Sequence, residues 1–259
     1  MSDEILMTRA GDVATVTLNR PQKLNALTKP MWGRLGELME TLSADDELRC
    51  IVLRGAGGKA FSPGNDISEF ASDRANPAQA KAYGRFMHGT LKALADCRHP
   101  MVALIEGICV GGGLEIAAHC DIRICGESSR FGVPINRLGL VMAYPEIAGL
   151  RALVGAPVAA EMLLEGRVFG AEEALAKGLV TRVVPDAEVE AAAMTSARRI
   201  AAGAPLVARW HKKFLRRLAD PRPLSEAELD EGYACYGTAD FRIGYRAFLD
   251  KATPQFEGR

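Results

Sequence analysis

The stretch Gly107-Ile108-Cys109-Val110-Gly111-Gly112-Gly113-Leu114-Glu115 sets a bare run of glycines two residues ahead of a carboxylic acid. It follows an apolar segment and opens a helix, because Leu114, Ala117 and Ala118 continue with helical spacing. Three adjacent glycines remove every side chain from a helix start, where the first backbone N–H groups have no partners within the helix and the macrodipole favours negative charge. Such a start suits an anion or an oxyanion, although the same glycines would also serve close helix packing alone. A second loop has related chemistry. In Ala60-Phe61-Ser62-Pro63-Gly64-Asn65-Asp66-Ile67 the Pro-Gly pair makes a turn, and Asn65-Asp66 can begin the next helical turn with its N–H groups presented. Alone it is an ordinary turn; the two loops together are more informative.

Two standard phosphate motifs fail. Walker A requires Gly-Lys followed by Ser or Thr, but Gly58-Lys59 is followed by Ala60 and position 53 is Leu. A dinucleotide fingerprint belongs in the first strand-to-helix turn with a different glycine spacing, whereas these glycines sit mid-chain. Six cysteines in 259 residues include no C-x-x-C pair. Cys120 and Cys125 lie near His119, but AAHCDIRIC reads as a helix end followed by a short apolar strand, so the thiols are expected buried and reduced with no metal.

These loops need a scaffold, and 259 residues suffice for a substantial core. Asp12 to Leu18 alternates with period two and reads as a strand, with Ala14, Val16 and Leu18 on one face. Thr28 caps a helix with Pro30 in its first turn and Leu35, Leu38, Met39 and Leu42 on one face. Strands are expected at 50–53 and 101–105, with a long helix between them at about 77–96. From Pro145 onward the reading is helix after helix, at 145–155, 156–166, 170–179, 186–202, 205–218, 225–236 and 240–251, interrupted by one strand at 180–184. Alternation followed by a helical tail argues for an α/β core carrying a helical appendage.

No uncharged run exceeds about nine residues, against the roughly 20 apolar ones a spanning helix takes, so no membrane segment is expected. The N-terminus MSDEILMTRAGD has acids where a signal peptide needs bases, which points to the cytoplasm. Lys plus Arg number 32 and Asp plus Glu 32, so nothing favours nucleic acid as a partner. The balance is uneven locally. Arg198 to Arg217 holds seven basic residues and no acids, and Asp220 to Glu231 holds five acids against Arg222. Two helix faces that pair with each other account for this, and a role in holding phosphates is the alternative.

The segments NRPQKLNALT (19–28), AFSPGNDISEF (60–70), EGICVGGGLEIAAHCDIRIC (106–125), SRFGVPINRLGL (129–140), AEEALAKGLV (171–180) and YRAFLDKATPQFEG (245–258) resemble, in order and spacing, the crotonase superfamily of enoyl-CoA hydratases and isomerases. The resemblance implies an α/β fold with a superhelical core of repeated ββα turns over 1–195. It also implies a C-terminal helical oligomerisation segment over 196–259, giving a homotrimer or a dimer of trimers. The implied ligand is an acyl-CoA thioester of fatty-acid metabolism, with coenzyme A as part of the substrate and no separate cofactor. By that likeness the N–H groups of Asn65 and Gly112 form an oxyanion hole and Glu115 is a catalytic acid/base, one helical turn past Gly112. Lys23, Leu24, Ala26, Ala60, Phe61, Asp66, Ile67 and Ser68 match segments lining the adenine and pantetheine path. Gly111, Pro134 and Ile135 belong to the acyl site, and Phe248 and Lys251 match positions that reach a neighbouring subunit's ligand.

The chain departs from the family at one place. Hydratases carry a second glutamate twenty residues after the first, following the proline of a segment like FGVPIN, and here that residue is Ile135. Some hydrolases and dehalogenases of the family place an acid eight residues further, which is Ala143 here. Glu146 and Tyr144 are the nearby substitutes, although Pro145-Glu146 is also an ordinary helix start. His119 reads as a satisfied helix-end histidine, and Asp66 and Asp121 as turn and buried hydrogen-bonding groups. Three functions follow: a hydratase or isomerase relying on Glu115, another thioester chemistry such as decarboxylation or hydrolysis, and a non-catalytic acyl-CoA-binding scaffold.

Overall fold

The computed structural model describes residues 4–259, leaving the first three residues of the acidic N-terminus outside it. Strands β1 (Ile5–Ala10) and β2 (Val13–Leu18) precede α1 (Lys29–Ala44); β3 (Cys50–Gly55) and β4 (Ala60–Ser62) precede α2 (Phe70–Asp73) and α3 (Pro77–Asp96). The pattern repeats with β5 (Met101–Ile105), β6 (Ile108–Val110) and α4 (Gly112–Ala118), then with β7 (Ile122–Gly126), β8 (Arg130–Gly132) and α5 (Tyr144–Glu165). There follow β9 (Val168–Gly170), α6 (Ala171–Ala176), β10 (Arg182–Val184), α7 (Val189–Ala201), α8 (Pro205–Arg217), α9 (Glu226–Glu231) and α10 (Ala239–Leu249). The first pair, β1 and β2, stays together, whereas β3 and β4, β5 and β6, and β7 and β8 part company. β1, β2, β3, β5, β7 and β10 form a six-stranded sheet in that order, while β4, β6, β8 and β9 form a four-stranded one. All pairings are parallel except β1 with β2 and β8 with β9. This is the repeated ββα core expected.

Alternation along the large sheet separates two hydrophobic clusters. Ala14, Val16, Ile51, Leu53, Met101 and Ala103 face the main core, and Val13, Val52, Val102, Leu104 and Ile124 face Val189, Ala193, Ala197 and Ala201 of α7. The period-two reading of β2 therefore places both faces correctly. Because α7 packs on this sheet and runs unbroken across residues 195 and 196, the expected boundary between core and tail falls inside an element.

Thr28 caps α1, its Oγ1 accepting from the Met31 N–H at 3.4 Å. Leu35, Leu38, Met39 and Leu42 are buried as their spacing requires. The run Tyr144–Glu165 is long and apolar enough to cross a membrane by length and composition. It breaks at Gly155 (φ 74, ψ 167), so the backbone forms two shorter helices as the punctuation predicts. The expected helix over 225–236 ends at Glu231, and a 3-10 turn over Ala234–Gly237 follows before Thr238 caps α10. Strands β1, β4, β6, β8 and β9 are additions to the sequence reading. The tail's opposite charges meet, with Lys213 paired to Glu231 and Arg217 to Glu228. Lys212 is buried between the Asp121 carboxylate at 2.7 Å and the His99 carbonyl at 2.6 Å.

Candidate active site

Side chains buried beneath the two loops fix them. Asn25, fully buried in the left-handed region (φ 63), donates from Nδ2 to the carbonyls of Ala56 at 3.0 Å and Ala60 at 2.8 Å, pinning segment 19–28 to β4. Ser62 Oγ donates to the Asn25 carbonyl at 2.8 Å and accepts from the Gly64 N–H at 3.1 Å. The Leu27 N–H donates to the Gly64 carbonyl and the Asp66 N–H to the Leu27 carbonyl, both at 2.8 Å, bridging Leu27 to Asn65. In a parallel bridge the residue between two such bonds turns its own N–H to the other side, so the Asn65 N–H points away from Leu27. The Asn65 side chain is held by Trp32, whose Nε1–H donates to Oδ1 at 2.7 Å.

The glycine cluster lies against this loop, backbone on backbone. A Cβ on Gly64 (φ 95) would stand 2.6 Å from the Gly112 nitrogen, and one on Gly113 would stand 2.2 Å from the Ser62 carbonyl oxygen. Gly111 (φ 50, ψ −127) turns the chain out of β6, and Gly112 begins α4 with an N–H that no residue of the helix accepts. Close packing and free N–H groups thus have one cause.

Both loops open on a cavity of about 370 Å³. Glu115, 7% exposed, lines it, and its Oε2 has no hydrogen-bond partner among the described residues. Burial, with a smaller contribution from the Glu146 charge and some relief from Arg74, pushes its carboxyl up to about 8. A carboxyl so placed gives or takes a proton near neutrality.

The facing wall comes from α3 and α5. Glu146, in the first turn of α5, is buried and lines the cavity. Its Oε2 accepts from the Ala143 N–H at 2.8 Å, and its Oε1 lies 3.0 Å from His88 Nε2. The Arg74 guanidinium stacks at 4.8 Å over the Phe70 ring and 4.9 Å over the Tyr83 ring.

Of the residues expected at the site, Asn65, Ile67, Gly111, Gly112, Glu115, Pro134 and Ile135 meet in this cavity. Lys23, Leu24, Ala26, Ala60, Phe61 and Ser68 lie off its lining, and Phe61 is wholly buried in the core. Asp66 caps the turn after the loop; hydrogen bonds from Ser68 and Arg20 hold its carboxyl below the usual range. Phe248, 83% exposed on α10, borders a separate depression with Phe241 and Tyr245, and Lys251 follows that helix. Tyr144, 92% exposed, stays outside the cavity, so of the two substitutes weighed for position 135 only Glu146 enters. His119 packs against Gly149 off the lining and is pushed down to about 4, chiefly by burial. Asp121 accepts from the Met101 N–H at 2.7 Å, a structural role. The sequence reading missed Phe70, Arg74, Met87, Arg137 and Leu138 on the lining and His88 behind it. For Glu146 the one local signal was its place after Pro145; the others carry none.

The enoyl-CoA hydratase/isomerase family pattern matches residues 8–259. A crystal structure of an enoyl-CoA hydratase/carnithine racemase from Magnetospirillum magneticum is 52% identical with a TM-score of 0.98, covering 100% of this chain and 97% of that one. The short-chain-enoyl-CoA hydratase of Clostridium acetobutylicum is 31% identical over 96% of this chain and 95% of its own length. The carnitinyl-CoA dehydratase of Salmonella typhi is 31% identical over the whole of both chains.

Proposed function

The chain belongs to the enoyl-CoA hydratase/isomerase family and has the crotonase fold, and from that premise we propose that it acts on an enoyl thioester of coenzyme A through a thioester enolate. The thioester oxygen takes the N–H groups of Asn65 and Gly112. Two preorganised donors stabilise charge that appears on that oxygen only along the reaction path. Glu115 moves the proton at Cα. The observation that carries this reading is Glu115 itself, a buried carboxyl with an unpartnered oxygen in the cavity onto which both loops open. Coenzyme A arrives with the substrate and no other cofactor is invoked. Exposed Phe241, Tyr245, Phe248 and Leu249 on α10 suit the subunit contacts of a homotrimer or a dimer of trimers, and six unpaired cysteines suit the cytoplasm.

Incubation with a panel of enoyl-CoA thioesters of increasing chain length, followed by mass spectrometry and chromatography, tests the reading. Gain of one water marks hydration, and a shifted double bond at constant mass marks isomerisation. Loss of carboxylate or release of free coenzyme A would move the enzyme to decarboxylation or hydrolysis. Binding with no turnover would leave a scaffold.

A further inference from the structure

Glu146 sits where a helix start would ordinarily leave an acid in water. Here it is buried on the wall of the cavity that contains Glu115, and Ile135, also on the lining, is apolar. The Glu146 charge opposes ionisation of the buried Glu115 in the same cavity, and an apolar side chain in place of Glu146 would remove that cost. Each Glu146 oxygen has one partner, the Ala143 N–H on Oε2 and His88 on Oε1, while a carboxylate has about four acceptor sites in all. The group is therefore held in orientation with lone pairs left for a water.

We infer that Glu146, positioned by His88, is the second catalytic carboxylate of this enzyme and that the reaction it completes is hydration of the double bond. The inference rests on the enolate reading of the Glu115 site. In the step, Glu146 takes a proton from water as the water oxygen bonds to Cβ. The π electrons move through Cα onto the thioester oxygen, and the proton of Glu115 passes to Cα as the electrons return. The product is the 3-hydroxyacyl thioester; Glu146 loses its proton and Glu115 regains one through solvent before the next turnover. A double-bond shift needs one carboxylate only, so the second favours hydration.

Two reactions separate the carboxylates: hydration of a short enoyl thioester, and deuterium exchange at Cα of the saturated thioester in D2O, which needs Glu115 alone. Glu146→Gln is expected to lower hydration about 10²–10⁴-fold while exchange stays within about threefold. His88→Ala is expected to lower the hydration kcat about tenfold, with KM and exchange unchanged. Hydration within threefold of the unmodified enzyme in Glu146→Gln would overturn the inference. So would equal loss of both reactions in that variant, which marks a structural role, or an unmodified enzyme that exchanges Cα but hydrates no enoyl thioester. Exchange surviving in Glu115→Gln would instead sink Glu115 as the group that moves the Cα proton, and no exchange in the unmodified enzyme would sink the enolate reading beneath it.

Discussion

One wall of the cavity is backbone held rigid by side chains behind it, and the other is side chain carried by helices. On the first, Asn25, Ser62 and Trp32 are spent on fixing loops whose own N–H groups are the proposed donors to the thioester oxygen. On the second, Glu146 presents its carboxyl directly, and His88 meets it from a second helix behind the lining. Backbone donors tolerate no added atom, because their placement depends on bare glycines, but carry no proton of variable charge. Side chains supply the proton inventory and can be exchanged one at a time. Glu115 joins the two, since the glycine turn that frees the Gly112 N–H also starts the helix carrying this acid.

The largest effect expected is at that junction. Glu115→Gln keeps shape and volume but removes the proton, so turnover of any substrate should fall about 10³-fold while thioester binding, measured by calorimetry, changes little. Tightly impaired binding would mean that the carboxylate serves the fold and that the walls are not distinct in kind. Gly64→Ala attacks the backbone wall alone. Its Cβ would meet the Gly112 nitrogen at 2.6 Å from a φ of 95, forcing the loops apart. Losing one preorganised donor costs about 2.7–4 kcal/mol, so kcat should fall by roughly 10²–10³ with the protein still folded by circular dichroism.

The two walls also differ in how far each can be read from sequence. Glycine spacing, the Pro-Gly turn and Glu115 are local features, and their chemistry is set by backbone rules acting over a few residues. The Thr28 cap, the two-sided alternation of β2 and the helix over 77–96 are legible for the same reason. His88 and Glu146 lie 58 residues apart, and no short-range pattern joins them. Strands β4, β6, β8 and β9 have three residues each, too few to show a period, so the four-stranded sheet under the site stayed hidden although both loops issue from it. Likeness of segment alone puts Lys23, Leu24 and Phe61 at the site. Phe61 shows the limit of that route, because its position supports the loop from within the core.

Titration gives the next contrast. Burial and the facing Glu146 charge push Glu115 up to about 8, against Arg74, which pulls it down. Hydration by the carboxyl pair consumes the form that retains one proton, so kcat/KM should fall above about pH 8, approaching tenfold per unit. Deuterium exchange at Cα consumes the ionised Glu115 and should rise up to about pH 8 and then level. Parallel profiles for the two reactions would mean that one wall alone handles every proton.

The smallest effect expected tests the support behind the backbone wall. Asn65→Ala keeps the N–H at that position but removes Oδ1, the acceptor of the Trp32 Nε1–H. A net hydrogen bond contributes about 1 kcal/mol, and a buried donor left without its acceptor costs about 1–3 kcal/mol. The loss should therefore appear mainly as a lower midpoint in urea. Activity should fall only a fewfold, because the Leu27 bridge and Ser62 still hold the loop backbone. A fall as large as that of Gly64→Ala would locate the donor's rigidity in one side chain, whereas a small one places it in the bonded backbone on either side of Asn65.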